Sequence, residues 1–138
     1  MDILSIPFHK LIRVDRSGKP AYIFEIIERP EYLNHLGTIH ACVQLSLAEA
    51  ASGEFLIQEF NELQDEVIPV VRKSEARYHR PANGKLYARA EFYKSEKQLI
   101  SNDLENRGRA MLKVKVEVVD SHKYRSLTAI FDWFITKK

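Results

Sequence analysis

His40 and Glu49 stand nine residues apart in a stretch, Asn34 to Phe55, that is otherwise largely apolar. A carboxylate can take a proton from water as a general base, or attack an electrophilic carbon itself. An imidazole or a carboxamide, here His40 or Asn34, can orient a carbonyl or a water. The free N–H groups at a helix start, around His40 and Ala41, can stabilise negative charge developing on a carbonyl oxygen. On one helix, nine residues amount to about 900°, a net half-turn, and about 13 Å of rise. His40 and Glu49 of the same helix therefore cannot meet, and a site that uses both must combine two copies of the chain.

The elements that would position these residues follow from the pattern around them. Thr38, after the break at Gly37, is placed to cap a helix. Ile39, Ala41, Cys42, Val43, Leu45, Leu47, Ala48, Ala50 and Ala51 are apolar or small on every side of it, which describes a buried helix that something must wrap. The polar "NELQDE" closes the helical region. Before it, "HKLIRVD" and "PAYIFEII" read as two strands joined by the Gly-bearing turn "RSGK". After it, "EVIPVVRKSEARYHRPA" and "KLYARAEFY" flank Asn83-Gly84, a strong short hairpin signal. "SEKQLISNDLENRG" forms a short helix or loop. Two alternating strands follow, one with Leu112, Val114, Val116 and Val118 on one face, the other with Leu127, Ala129, Phe131, Trp133 and Ile135. Two strands, a buried helix and four strands predict an α+β fold, an antiparallel sheet wrapped around one long helix.

With 138 residues and 45% hydrophobic content, one domain spanning 1–138 with one core is expected. Neither a secretory signal nor an apolar run of bilayer length is visible, so a soluble cytoplasmic protein with no membrane partner is expected. A formal charge of +2 with interleaved acids and bases lacks the basic stripe of a nucleic-acid binder. One cysteine, Cys42, excludes an internal disulfide, and no Cys or His cluster has metal-ligand spacing. Cys42 itself reads as a small buried hydrophobe.

Asn34, Gly37, His40, Ala41 and Leu47-Ala48-Glu49, with "YHRPANGKLYARAEF" and "GRAMLKVKVEVVD" further on, resemble the hotdog-fold acyl-CoA thioesterases, in particular the phenylacetate-pathway group and a sister group of uncharacterised domains. The likeness runs from about Phe8 to Ile135. It implies the hotdog fold, a homodimer or a dimer of dimers with sites shared across a two-fold axis, and an acyl-CoA substrate, coenzyme A being part of the substrate and no separate cofactor being required. In the implied site Asn34, His40 and Glu49 are catalytic, and Gly37, Ala41 and Ser52 contact or support the substrate. The chain departs from the family in one place: Ala41-Cys42 stands where the thioesterases commonly carry Gly-Gly.

Arg77, Arg80, Arg107 and Arg109 are candidates for the coenzyme A phosphates, because guanidinium geometry matches phosphate. His9, His35, His79 and His122 have no convergent partners in the sequence and receive no role. Two other readings share the fold: a module that binds an acyl-CoA or lipid-like ligand without cleaving it, favoured by Ala41-Cys42, and a dehydratase of carrier-linked 3-hydroxy acids, disfavoured by the missing Phe-Pro-Gly of its His loop.

Overall fold

A computed structural model describes all 138 residues. The elements in order are helix α1 (Pro7–Leu11), strands β1 (Asp15–Arg16) and β2 (Phe24–Ile27), helix α2 (Ala41–Glu59), strands β3 (Val67–Tyr78) and β4 (Lys85–Phe92), helix α3 (Lys97–Arg107), and strands β5 (Arg109–Asp120) and β6 (Arg125–Lys137). The six strands form one antiparallel sheet in the order β1-β2-β4-β5-β6-β3, and α2 lies across its inner face against β2, β4, β5 and β6. This is the hotdog arrangement. No helix is long and apolar enough to cross a membrane.

The alternation read in the last two strands sets the core. Leu112, Val114, Val116 and Val118 of β5 and Leu127, Ala129, Phe131, Trp133 and Ile135 of β6 are buried toward α2, while Lys113, Lys115 and Glu117 occupy the outer face. The helix meets them with Leu47, Ala48, Ala50, Ala51, Ser52 and Gly53. Small residues let the helix approach the sheet closely, and each large apolar side chain so buried contributes about 1.5–3 kcal/mol. Ser52 ties the layers together: its hydroxyl donates to the Glu49 carbonyl at 2.7 Å and accepts the Trp133 indole N–H at 3.2 Å. Ser52→Ala would strand that N–H in the core and should lower unfolding free energy by about 1–3 kcal/mol. An unchanged denaturant midpoint would show that the indole finds another acceptor.

Three local expectations are corrected. "HKLIRVD" is not a strand but α1, a turn and the two-residue β1; Pro7 at the first helical position has the backbone angle a helix start needs. The opening hairpin survives only as Asp15↔Glu25 and Arg16↔Phe24.

Second, β3 and β4 do not form a hairpin across Asn83-Gly84. β3 pairs with β6 at the sheet edge, whereas β4 lies between β2 and β5. Residues 79–84 instead cross about three inter-strand spacings, some 14 Å, which six residues can span. The turn chemistry is real, since Gly84 has φ +76, but it serves to pin loops. Asn83 Nδ2 and the Gly84 N–H both donate to Glu28, holding its carboxyl below the usual range, and Asn83 also bonds the Gly37 carbonyl.

Third, α2 is not enclosed on every side. Cys42 is exposed and Leu45, Ser46 and Glu49 are half-buried along one flank. Its buried carboxylate is Glu54, held by Arg16 at 3.2 Å.

Candidate active site

The helix start is built by its own side chains. Asn34 Oδ1 accepts the N–H groups of Leu36 and Thr38, its Nδ2 donates to Thr38 Oγ1, and Gly37 turns with φ +72. Asn34 and Gly37 are thus the frame of a tight loop, and Thr38, engaged there, is not the cap. Ile39 is buried and its N–H bonds the Ala82 carbonyl, so the crossover loop anchors the same point. The cap is His40: its Nδ1 accepts the Cys42 N–H at 3.0 Å.

That bond fixes the chemistry of His40. With Nδ1 accepting, the neutral ring carries its proton on Nε2, a donor on an exposed side chain. The backbone account is equally definite. The His40 N–H is engaged by the Tyr32 carbonyl, and the Val43 and Gln44 N–H groups by the His40 carbonyl. Ala41 N–H alone in the first turn has no partner. So the helix start offers an arriving carbonyl oxygen the Ala41 N–H and the positive end of a 19-residue helix, and the cap residue carries a second exposed donor in His40 Nε2–H. Tyr78, at the end of β3, reaches the same place, its hydroxyl donating to the Ala41 carbonyl at 3.3 Å; burial, and then Cys42, raise its pKa and keep it protonated.

Glu49 lies elsewhere on the same helix, about 13 Å along its axis. It opens onto an apolar cavity of about 350 Å³ between α2 and β3, lined by Ile3, Ile6, Val70, Val71 and Trp133 among others. Its side chain is 36% exposed, and Oε2 lies 3.5 Å from His9 Nε2. His9, given no role on sequence grounds, therefore has a convergent partner. Its α1 rests on the Ile3–Ser5 turn, which packs against α2, and only a correct placement of the amino-terminal segment, misread as strand, could have signalled the contact.

Of the remaining candidates, Ser52 is a core hydroxyl with no exposure. Arg77 lines an open groove of about 600 Å³ on the outer sheet face with His79, Lys115 and Arg125, the last two missed by sequence reasoning. There His79 is held below its ordinary pKa by desolvation, then by Arg125 and Arg77, so it is neutral at neutral pH. Arg80 stacks on the Tyr124 ring at 4.2 Å. Arg109 pairs with Thr136, opposite Ile68, nine residues along β3 from Arg77 and so about 30 Å away. The arginines do not gather within one chain.

No curated protein matches the sequence. Solved structures do. A Pseudomonas aeruginosa protein of unknown function, described as a probable thioesterase, superimposes with a TM-score of 0.81 at 18% identity, over 99% of this chain and 91% of that one. A Haemophilus influenzae thioesterase gives 0.73 at 15%, over 98% and 86%. A Bacillus halodurans protein solved with CoA gives 0.64 at 17%, over 81% and 69%. At these identities the likeness is one of fold. The sequence is decisive about family, because the model for the domain of unknown function DUF4442 matches residues 16–135, and the chain belongs to that family.

Proposed function

We propose that the protein is an acyl-CoA thioesterase whose sites are completed in a homodimer. The observation that carries this is the complementary equipment at two places on α2: free carbonyl-binding donors at His40 and Ala41, and a pocket-facing carboxylate at Glu49 that its own helix start cannot reach. The names of the Pseudomonas and Haemophilus structures, and the CoA in the Bacillus one, favour the same chemistry.

The edge strand supports the dimer. The N–H of His79 is turned to β6, so by strand alternation those of Tyr78, Ala76 and Ser74 face the open edge. Val71 lines the Glu49 cavity and Tyr78 touches Ala41, so β3 runs beside α2 with the two half-sites at three residues before and four after Ser74. A two-fold axis at Ser74 brings the stretch by Glu49 of one chain beside the partner's helix start. It also sets Lys73 opposite the partner's Glu75, twice.

In the proposed reaction the thioester oxygen sits on Ala41 N–H and His40 Nε2–H. Glu49 of the other chain takes a proton from water, whose oxygen adds to the carbonyl carbon. The intermediate collapses with cleavage of the C–S bond, and the leaving thiolate takes the proton back from Glu49. Direct attack by the carboxylate, followed by hydrolysis of the anhydride, reaches the same products. The apolar cavity beside Glu49 takes the acyl group, and the Arg77, Lys115 and Arg125 face is placed for phosphates. Asn34 and Gly37 shape the loop that presents the donors.

Purified protein should release free thiol from members of an acyl-CoA panel, read with a thiol reagent. Stoichiometric binding without thiol release across the panel would overturn hydrolysis in favour of the binding module.

A further inference from the structure

Among the buried titratable side chains without a part in that scheme, His9 is the one that faces Glu49; it is 5% exposed and stands on a five-residue helix before the family-matched segment. Its placement follows from the Ile3–Ser5 turn, which packs on α2 beside Gly53. A Cβ there would stand 3.3 Å from Ile3 Cδ1, a tight contact that the bare glycine avoids where the amino-terminal turn lies on α2. The Ile3 carbonyl, held in that turn, bonds His9 Nδ1 at 2.8 Å. A carbonyl only accepts, so Nδ1 carries a proton. Nε2 is thereby left facing Glu49 Oε2 at 3.5 Å.

In the neutral ring Nε2 is a bare lone pair, and two acceptors would oppose each other there. An N–H at Nε2 or an O–H at Oε2 is required for them to attract. Other charges around the cavity are engaged elsewhere: the terminal amine with Gln64, Asp2 with the Leu4 N–H, Lys73 with Glu75, and Asp132 with Lys113. Lys10 is exposed on α1. Trp133, Val70 and Val71 contribute no charge.

We infer that His9 is the positioning residue of Glu49, acting within the same chain to hold the carboxylate toward the cavity through one shared proton. This rests on the thioesterase reading for its catalytic consequence, but not for the pairing itself. His9→Ala should lower kcat for thiol release about 10- to 100-fold, the range a misplaced reacting group produces, with KM within twofold. His9→Gln, whose amide N–H can still donate to the carboxylate, should recover most of the rate.

The pairing is read separately by ring ¹⁵N NMR of the five histidines at one fixed pH. Glu49→Gln should displace the His9 signals and Glu54→Gln should not. A folded His9→Ala protein with wild-type kcat, or His9 signals indifferent to Glu49→Gln, overturns the inference. If the wild type releases no thiol, the hydrolase reading falls and the NMR comparison alone decides the pairing.

Discussion

Glu49→Ala should reduce thiol release by at least 100-fold while leaving the fold intact. A general base is worth about 10²–10⁴ in rate, and a side chain that opens onto a cavity with 36% exposure carries little of the core. The shared-site geometry adds a sharper expectation. Chains carrying Glu49→Ala have an intact helix start, and chains carrying His40→Ala have an intact carboxylate. Mixed and allowed to exchange, half of the dimers are hybrids, each with one site built from two unaltered halves and one from two altered halves. Activity should then rise from near zero to about a quarter of wild type, as two-fold pairing dictates. If the mixture stays as inactive as its components, Glu49 and His40 do not act across chains. Undiminished turnover by Glu49→Ala alone removes the carboxylate from the mechanism.

Reversing one charge on the edge strand should separate the subunits. Lys73 and Glu75 lie two residues apart on the outer face of β3, 2.8 Å from each other and largely exposed. About an axis at Ser74 the sequence Lys-Ser-Glu is its own antiparallel complement. Lys73→Glu would replace two attractive cross-strand pairs by two repulsive ones and should raise Kd by about an order of magnitude or more. Thiol release should fall with dimer content on a sizing column. Adding Glu75→Lys should restore both, because the exchanged charges again face their opposites. A Lys73→Glu protein that elutes and works as the wild type places the interface elsewhere.

What could be read from the residues alone depended on how local the cause was. The faces of β5 and β6 were legible because Leu112 to Val118 and Leu127 to Ile135 alternate without interruption. The extent of α2 was legible from an apolar run too long for a strand. The partner of β3 was not, since Asn83-Gly84 has the same turn chemistry whether it closes a hairpin or, as here, pins Glu28 and the Gly37 loop. The frame around the helix start was foreshadowed by Asn34, Gly37 and His40, although the cap lies two residues beyond Thr38. His9 was opaque because its partner is 40 residues away and reached only through Ile3 and Gly53. Glu54 was overlooked beside Glu49, since nothing near it in sequence announces Arg16.

Pro69 and the irregularity between Val71 and Lys73 decide how far such an assembly can grow. Pro69 has no N–H to offer the open edge, and the extra residue at Arg72 throws the ladder out of step. Only the short run centred on Ser74 is left to zip, and a two-fold pairing there would consume the β3 edge of both chains, leaving as border only the two-residue β1. On the proposed pairing, a twelve-residue border strand would be used up in a closed pair rather than extended into an endless ribbon.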